Sequence, residues 1–200
     1  MGTGGTEGNE HLTSITGVIL IVLLAVLGVT ILRIHQLISI HLFVGLLLLG
    51  PVALKLASTG YRFARYYTRD PSYRLKGPPP PAMRMLAPGV VVTTVAVFVS
   101  GIVLMFLGPS HRQAWLGIHK VSFIAWLAFT GLHVLGHLPE LATLVAGRAP
   151  TLPGHRLQGN AARWLALSGA IVGGLVLAIV LIPHFAAWTA SGAFDHRGDH

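Results

Sequence analysis

The stretch LISIHLFVGLLLLGPVALKLAS, residues 37–58, decides the fold of this chain. It is 22 residues long, and only His41 and Lys55 in it are ionisable. A helix needs roughly 20 apolar residues to cross about 30 Å of hydrocarbon. Four other runs reach that standard, over residues 12–32, 85–107, 115–138 and 164–182. Pro88 falls in the first turn of the third run, where proline is tolerated. The whole chain, 200 residues, is 53% hydrophobic and 10% charged, whereas soluble domains carry about 25% charged residues. The expectation is an all-α integral membrane bundle of five transmembrane helices. Residues 1–184 form its single domain, and 185–200 form a polar, flexible tail.

The distribution of Lys and Arg sets the expected orientation. Arg62, Arg65, Arg69, Arg74, Lys76 and Arg84 lie between the second and third runs, and Arg148, Arg156 and Arg163 between the fourth and fifth. The opposite side holds Arg33, Arg112, Lys120 and Arg197. The positive-inside rule puts the first two groups in the cytoplasm, so five spans leave the N-terminus inside and the C-terminus outside. Tyr61, Phe63, Tyr66 and Tyr67, interleaved with Arg62 and Arg65, suit a headgroup layer. The net charge of +8 therefore belongs to membrane topology and does not imply a nucleic-acid partner. Residues 1–12 carry Glu7 and Glu10 and no basic residue, so the first run reads as a retained helix and not a secretory signal. A basic, Ser-rich leader is also missing, which points to a bacterial plasma (inner) membrane.

Between the second and third runs, Gly-Pro-Pro-Pro-Pro at 77–81 predicts an extended spacer. Gly108-Pro109-Ser110 predicts a short outer turn. The small-residue pattern Gly169, Ala170, Gly173, Gly174 permits close helix approach, within the chain or in a homo-oligomer through the fifth helix. With no cysteine in the chain, disulfides, iron–sulfur clusters and thiolate zinc sites are excluded. No dinucleotide fingerprint occurs and the loops are short, so the chain is not expected to be an enzyme on its own.

Histidine inside a span is costly and marks function. Of eleven histidines, four fall within spans: His41, His119, His133 and His137. His41 lies one turn inside the outer end of the second run, and His119 at similar depth in the fourth. Two histidines at matched depth on rigid helices can ligate one haem iron from both faces, giving a site for electron transfer. His133 follows His119 by fourteen residues, nearly four whole turns, so both share a helix face roughly 21 Å apart along the axis. His137, one turn further, competes with His133 as an inner ligand. Arg112, Trp115 and Lys120 could hold haem propionates or anchor the outer interface. Gly45, Gly50 and Gly131 could leave room for a porphyrin or serve plain helix packing.

This arrangement of a helix with two histidines fourteen residues apart, facing another histidine-bearing helix, resembles the di-haem membrane cytochrome b superfamily. That group includes the cytochrome b subunits of bacterial formate dehydrogenases and hydrogenases and the ferric-reductase-like membrane domains. The resemblance covers the second to fourth helices. It implies haem b, one or two per chain, with transmembrane electron transfer to or from a redox partner protein or a quinone. The family's symmetric pattern would place an inner histidine where this chain has Lys55. Three readings stay open: a single haem on His41 and His119; Lys55 as inner ligand opposite His133; or Met85 or His11 completing the inner site. Lys55 also suits a snorkelling role. Two other functions compete: a histidine-lined proton or metal transporter, and a cofactor-free structural subunit. The six acidic residues all lie outside the spans or at their ends, which weighs against cation transport.

Overall fold

A computed structural model describes residues 4–71, 74, 81–136, 138, 160–190 and 193, without the side chains of 4–11, 82, 111 and 160. The elements among them are all helical. They are α1 (Gly4–Leu32), α2 (Ile34–Tyr67), α3 (Pro81–Leu107), a 3₁₀ turn (Pro109–His111), α4 (Gln113–Gly136), α5 (Asn160–Leu181), a second 3₁₀ turn (Ile182–Phe185) and the short α6 (Ala186–Thr189). Five segments are long and apolar enough to cross a membrane: Leu12–Leu32, Ile34–Tyr67, Met83–Leu107, Gln113–Gly136 and Ala161–Thr189. Large apolar side chains on these helices, among them Val22, Val29, Val92, Val121, Ile124, Leu165 and Val180, point outward. In lipid such exposure carries no hydrophobic penalty, and helix association rests on close packing and interhelical hydrogen bonds.

The first two helices form an antiparallel hairpin with Arg33 as the only residue between them. Helical bonding resumes at once, with the Gln36 and Leu37 N–H groups donating to the Arg33 carbonyl at 3.0 and 2.9 Å. Leu37 is non-helical (φ −111°, ψ 18°) and kinks the start of α2. The register is set by polar contacts near both ends: the Thr13 hydroxyl donates to Ser58 Oγ at 3.1 Å, and Thr30 Oγ1 lies 2.9 Å from His41 Nδ1. A second antiparallel hairpin joins α3 and α4 through the turn after Gly108, whose φ of +70° suits glycine. Trp126 Nε1 donates to Thr94 Oγ1 at 3.1 Å across it.

Helix α5 lies antiparallel against α2, and two glycines make the crossing close. A Cβ on Gly50 would overlap the Ala170 carbonyl oxygen, and one on Gly174 would overlap that of Leu47. Pro51, buried inside α2, has no N–H to give the Leu47 carbonyl four residues back. The carbonyl released by the proline is the one that Gly174 covers. The small-residue pattern of the fifth helix is thus used, at Gly174, for packing within the chain. Gly50 faces α5 and is not porphyrin space.

Helices α1, α2 and α5 form one packed group and α3 with α4 another, and packing between the groups is sparser. It gathers at the end of the molecule where Leu46, Met105, Ala178 and Phe185 share a buried cluster. Trp188 Nε1 donates to the Met105 carbonyl at 3.4 Å there.

Several boundaries differ from expectation, among them the start of α1, which is helical from Gly4 where residue 12 was expected. Helix α2 runs nine residues past Ser58 to Tyr67, because the aromatic residues stack along it: Phe63 and Tyr67, one turn apart, have centroids 4.5 Å apart, and Arg65 lies over the Tyr61 ring at 5.8 Å. Helix α3 starts at Pro81, so Pro88 lies inside the helix and not in its first turn; proline at the first position of a helix is favoured because its φ is preset. Residues 186–189 are helical. Phe185 and Trp188 are buried, and these apolar rings draw residues 185–189 onto the bundle.

Candidate functional site

His41 and His119 are held in the same way by two different hairpins. His41 projects from α2 toward α1, where its Nδ1 lies 2.9 Å from Thr30 Oγ1. The Thr30 hydroxyl donates its single proton to the Leu27 carbonyl at 2.5 Å. The oxygen is then left as an acceptor, which favours the tautomer with hydrogen on His41 Nδ1. Thr30 itself is buried, which screens the pair from competition by water.

His119 projects from α4 toward α3, with Nδ1 3.0 Å from Ser100 Oγ. The Ser100 hydroxyl donates to the Ala96 carbonyl at 2.7 Å, shared with that of Val97 at 3.1 Å. Again the hydroxyl proton goes to a carbonyl, which favours the tautomer with hydrogen on His119 Nδ1. Ser122 Oγ, which donates to the His119 carbonyl at 3.1 Å, lies 3.5 Å from Ser100 Oγ. Gly101 makes room for the ring: a Cβ there would lie 3.2 Å from His119 Cε1 and 3.6 Å from its Nδ1.

The same tautomer is favoured in both imidazoles. Nδ1 bears hydrogen and Nε2 carries the lone pair, the form in which histidine binds a metal while a neighbouring group orients the ring. The two rings belong to helices of different packed groups. Two imidazoles are fewer than the three or four protein ligands zinc takes, and are the number a six-coordinate porphyrin iron takes. The donor set is two imidazoles, each with Nε2 turned away from its hydroxyl partner.

The remaining candidates are placed differently. Lys55 is engaged with α1: Nζ donates to the Thr13 carbonyl at 2.7 Å, and a Cβ on Gly17 would lie 3.3 Å from Nζ. Ser58 Oγ donates to the Lys55 carbonyl at 3.0 Å, closing a polar knot with Thr13. Lys55 thus makes an α1–α2 contact. His133 is partly buried in the last turn of α4. His137 lies outside the described residues, as does the His11 side chain. Met85 is 83% exposed, an outward position for a proposed inner ligand. Arg112 is buried and donates to the Ala193 carbonyl, tying the turn before α4 to the segment after α6. Open space adjoins Gly45 and Gly131; Gly45 is one turn from His41 on the same side of α2.

Thr30, Ser100 and Gly101 escaped the sequence reading. Ser100 and His119 are equidistant from the turn at Pro109-Ser110, and Thr30 and His41 from His35-Gln36, within the break between the first two apolar runs. Folding each hairpin about its turn would have found both pairs.

Comparison of the chain with family models, with curated proteins and with solved structures gave no match. The site stands on its own geometry.

Proposed function

We propose that this protein is a membrane electron-transfer cytochrome binding one haem b between His41 and His119. The observation that supports this most is the pairing of two intramembrane histidines from separate hairpins, each locked by a hydroxyl so that Nε2 is the ligating nitrogen. A haem so held supplies a one-electron couple within the bilayer. The chain's own contribution is to supply both axial ligands on rigid helices, to fix their tautomers and to keep the surroundings apolar.

A single site is proposed because Lys55 is committed to Thr13 and Met85 faces outward. Lys and Arg are concentrated between the second and third apolar runs and between the fourth and fifth, which favours an N-terminus in the cytoplasm and the haem toward the outer leaflet. The electron donor and acceptor are a partner protein or a quinone, since the chain carries no flavin or nicotinamide fingerprint.

The test is haem stoichiometry. Protein purified in mild detergent from haem-replete cells is expected to carry one haem per chain by pyridine haemochrome assay. His41→Ala or His119→Ala is expected to remove most of it while the helical circular dichroism persists. Well-folded wild-type protein without haem would exclude the cytochrome reading.

A further inference from the structure

Binding iron requires two imidazoles; it does not require that each be gripped from behind by a hydroxyl whose own proton is already committed. Both hairpins nevertheless carry that device, with the hydroxyl on the first helix and the histidine on the second. We propose that Thr30 and Ser100 are positioning residues that hold the reduction potential of the His41–His119 haem low. The inference rests on the haem reading above.

Thr30 Oγ1 donates to the Leu27 carbonyl and Ser100 Oγ to the Ala96 carbonyl. A hydroxyl that donates to a carbonyl is polarised and becomes the better acceptor. In the Nδ1–H tautomer that this favours, each accepts from an imidazole Nδ1–H, at 2.9 and 3.0 Å. Drawing on that N–H raises electron density at Nε2 and makes the ring a stronger donor to iron. Stronger axial donation stabilises the ferric state over the ferrous state and lowers the potential. Because the two rings are treated alike, the effects act in the same direction. Both hydroxyls are buried in their own hairpins, so the bonds form whether or not haem is present.

The test uses Thr30→Val, Ser100→Ala and the double variant, each as haem-loaded protein and as haem-free protein with 15N-labelled histidine. The loaded variants are expected to keep wild-type haem content and to show midpoint potentials shifted positive, most of all in the double variant. Thr30→Ser and Ser100→Thr are expected to restore the wild-type potential. In haem-free wild-type protein, 15N shifts are expected to report the Nδ1–H tautomer at both histidines, with that preference lost in the variants. An unchanged potential in a haem-loaded double variant would overturn the inference and leave the haem reading standing. If the double variant does not retain haem, the haem-free single variants decide, and an Nδ1–H population unchanged in Thr30→Val overturns the proposal. Wild-type protein that binds no haem ends the haem reading itself.

Discussion

At the scale of single residues, the account rests on room and direction for two rings. Gly101 gives His119 its place on α3, since a methyl there would press on Cε1 at 3.2 Å. Gly101→Ala is expected to reduce haem occupancy, and Gly101→Leu to abolish it, with helix content retained; haem-to-protein ratio and circular dichroism on one sample check this. Lys55 makes the opposite prediction. Its ammonium is used by the Thr13 carbonyl, so Lys55→Met is expected to leave the haem spectrum at full intensity, and partial loss would restore Lys55 as a ligand. The histidines themselves were legible in the sequence because ionisable groups inside spans are rare. Their hydroxyl partners were not, because threonine and serine inside apolar helices are common and usually bond only to their own backbone. Ser100 does that as well, and only the hairpin register shows that its oxygen also serves His119.

At the scale of elements, the α2–α5 crossing bears the greatest packing constraint. Gly50 and Gly174 each meet a backbone carbonyl of the opposing helix, so no side-chain adjustment can accommodate a larger residue. Overpacking of cores costs about 1–3 kcal/mol. Gly174→Val and Gly50→Val are expected to reach or exceed that and to lower the Tm in detergent, whereas Gly169→Ala, with open space around it, is expected to change it little. Equal effects at Gly174 and Gly169 would contradict this packing. The five spans were plain from hydropathy, but helix ends were not. The aromatic stretch after Ser58 carries α2 on to Tyr67 through contacts such as Phe63 with Tyr67, and hydropathy cannot see such stacking. Likewise the burial of Phe185 and Trp188 depends on the distant residues Leu46 and Met105.

At the scale of the whole molecule, two helix groups meet sparsely, and the proposed haem takes one ligand from each. Haem then stabilises the assembly by mass action, by about 2.7 kcal/mol at a hundredfold excess over Kd. Haem removal is expected to lower the Tm, and added haem to restore it. The proposed orientation can be read by cysteine labelling, because the native chain has no cysteine. Ser110→Cys is expected to react with an impermeant maleimide in intact cells, and Arg69→Cys only after permeabilisation; the reverse pattern would invert the topology. The measurement that bears most directly on the central claim is low-temperature electron paramagnetic resonance of the oxidised protein. One low-spin ferric signal of bis-imidazole type is predicted, and it should disappear or turn high-spin in both His41→Ala and His119→Ala. A low-spin signal that survives either substitution, or no haem signal from folded protein, would contradict the account.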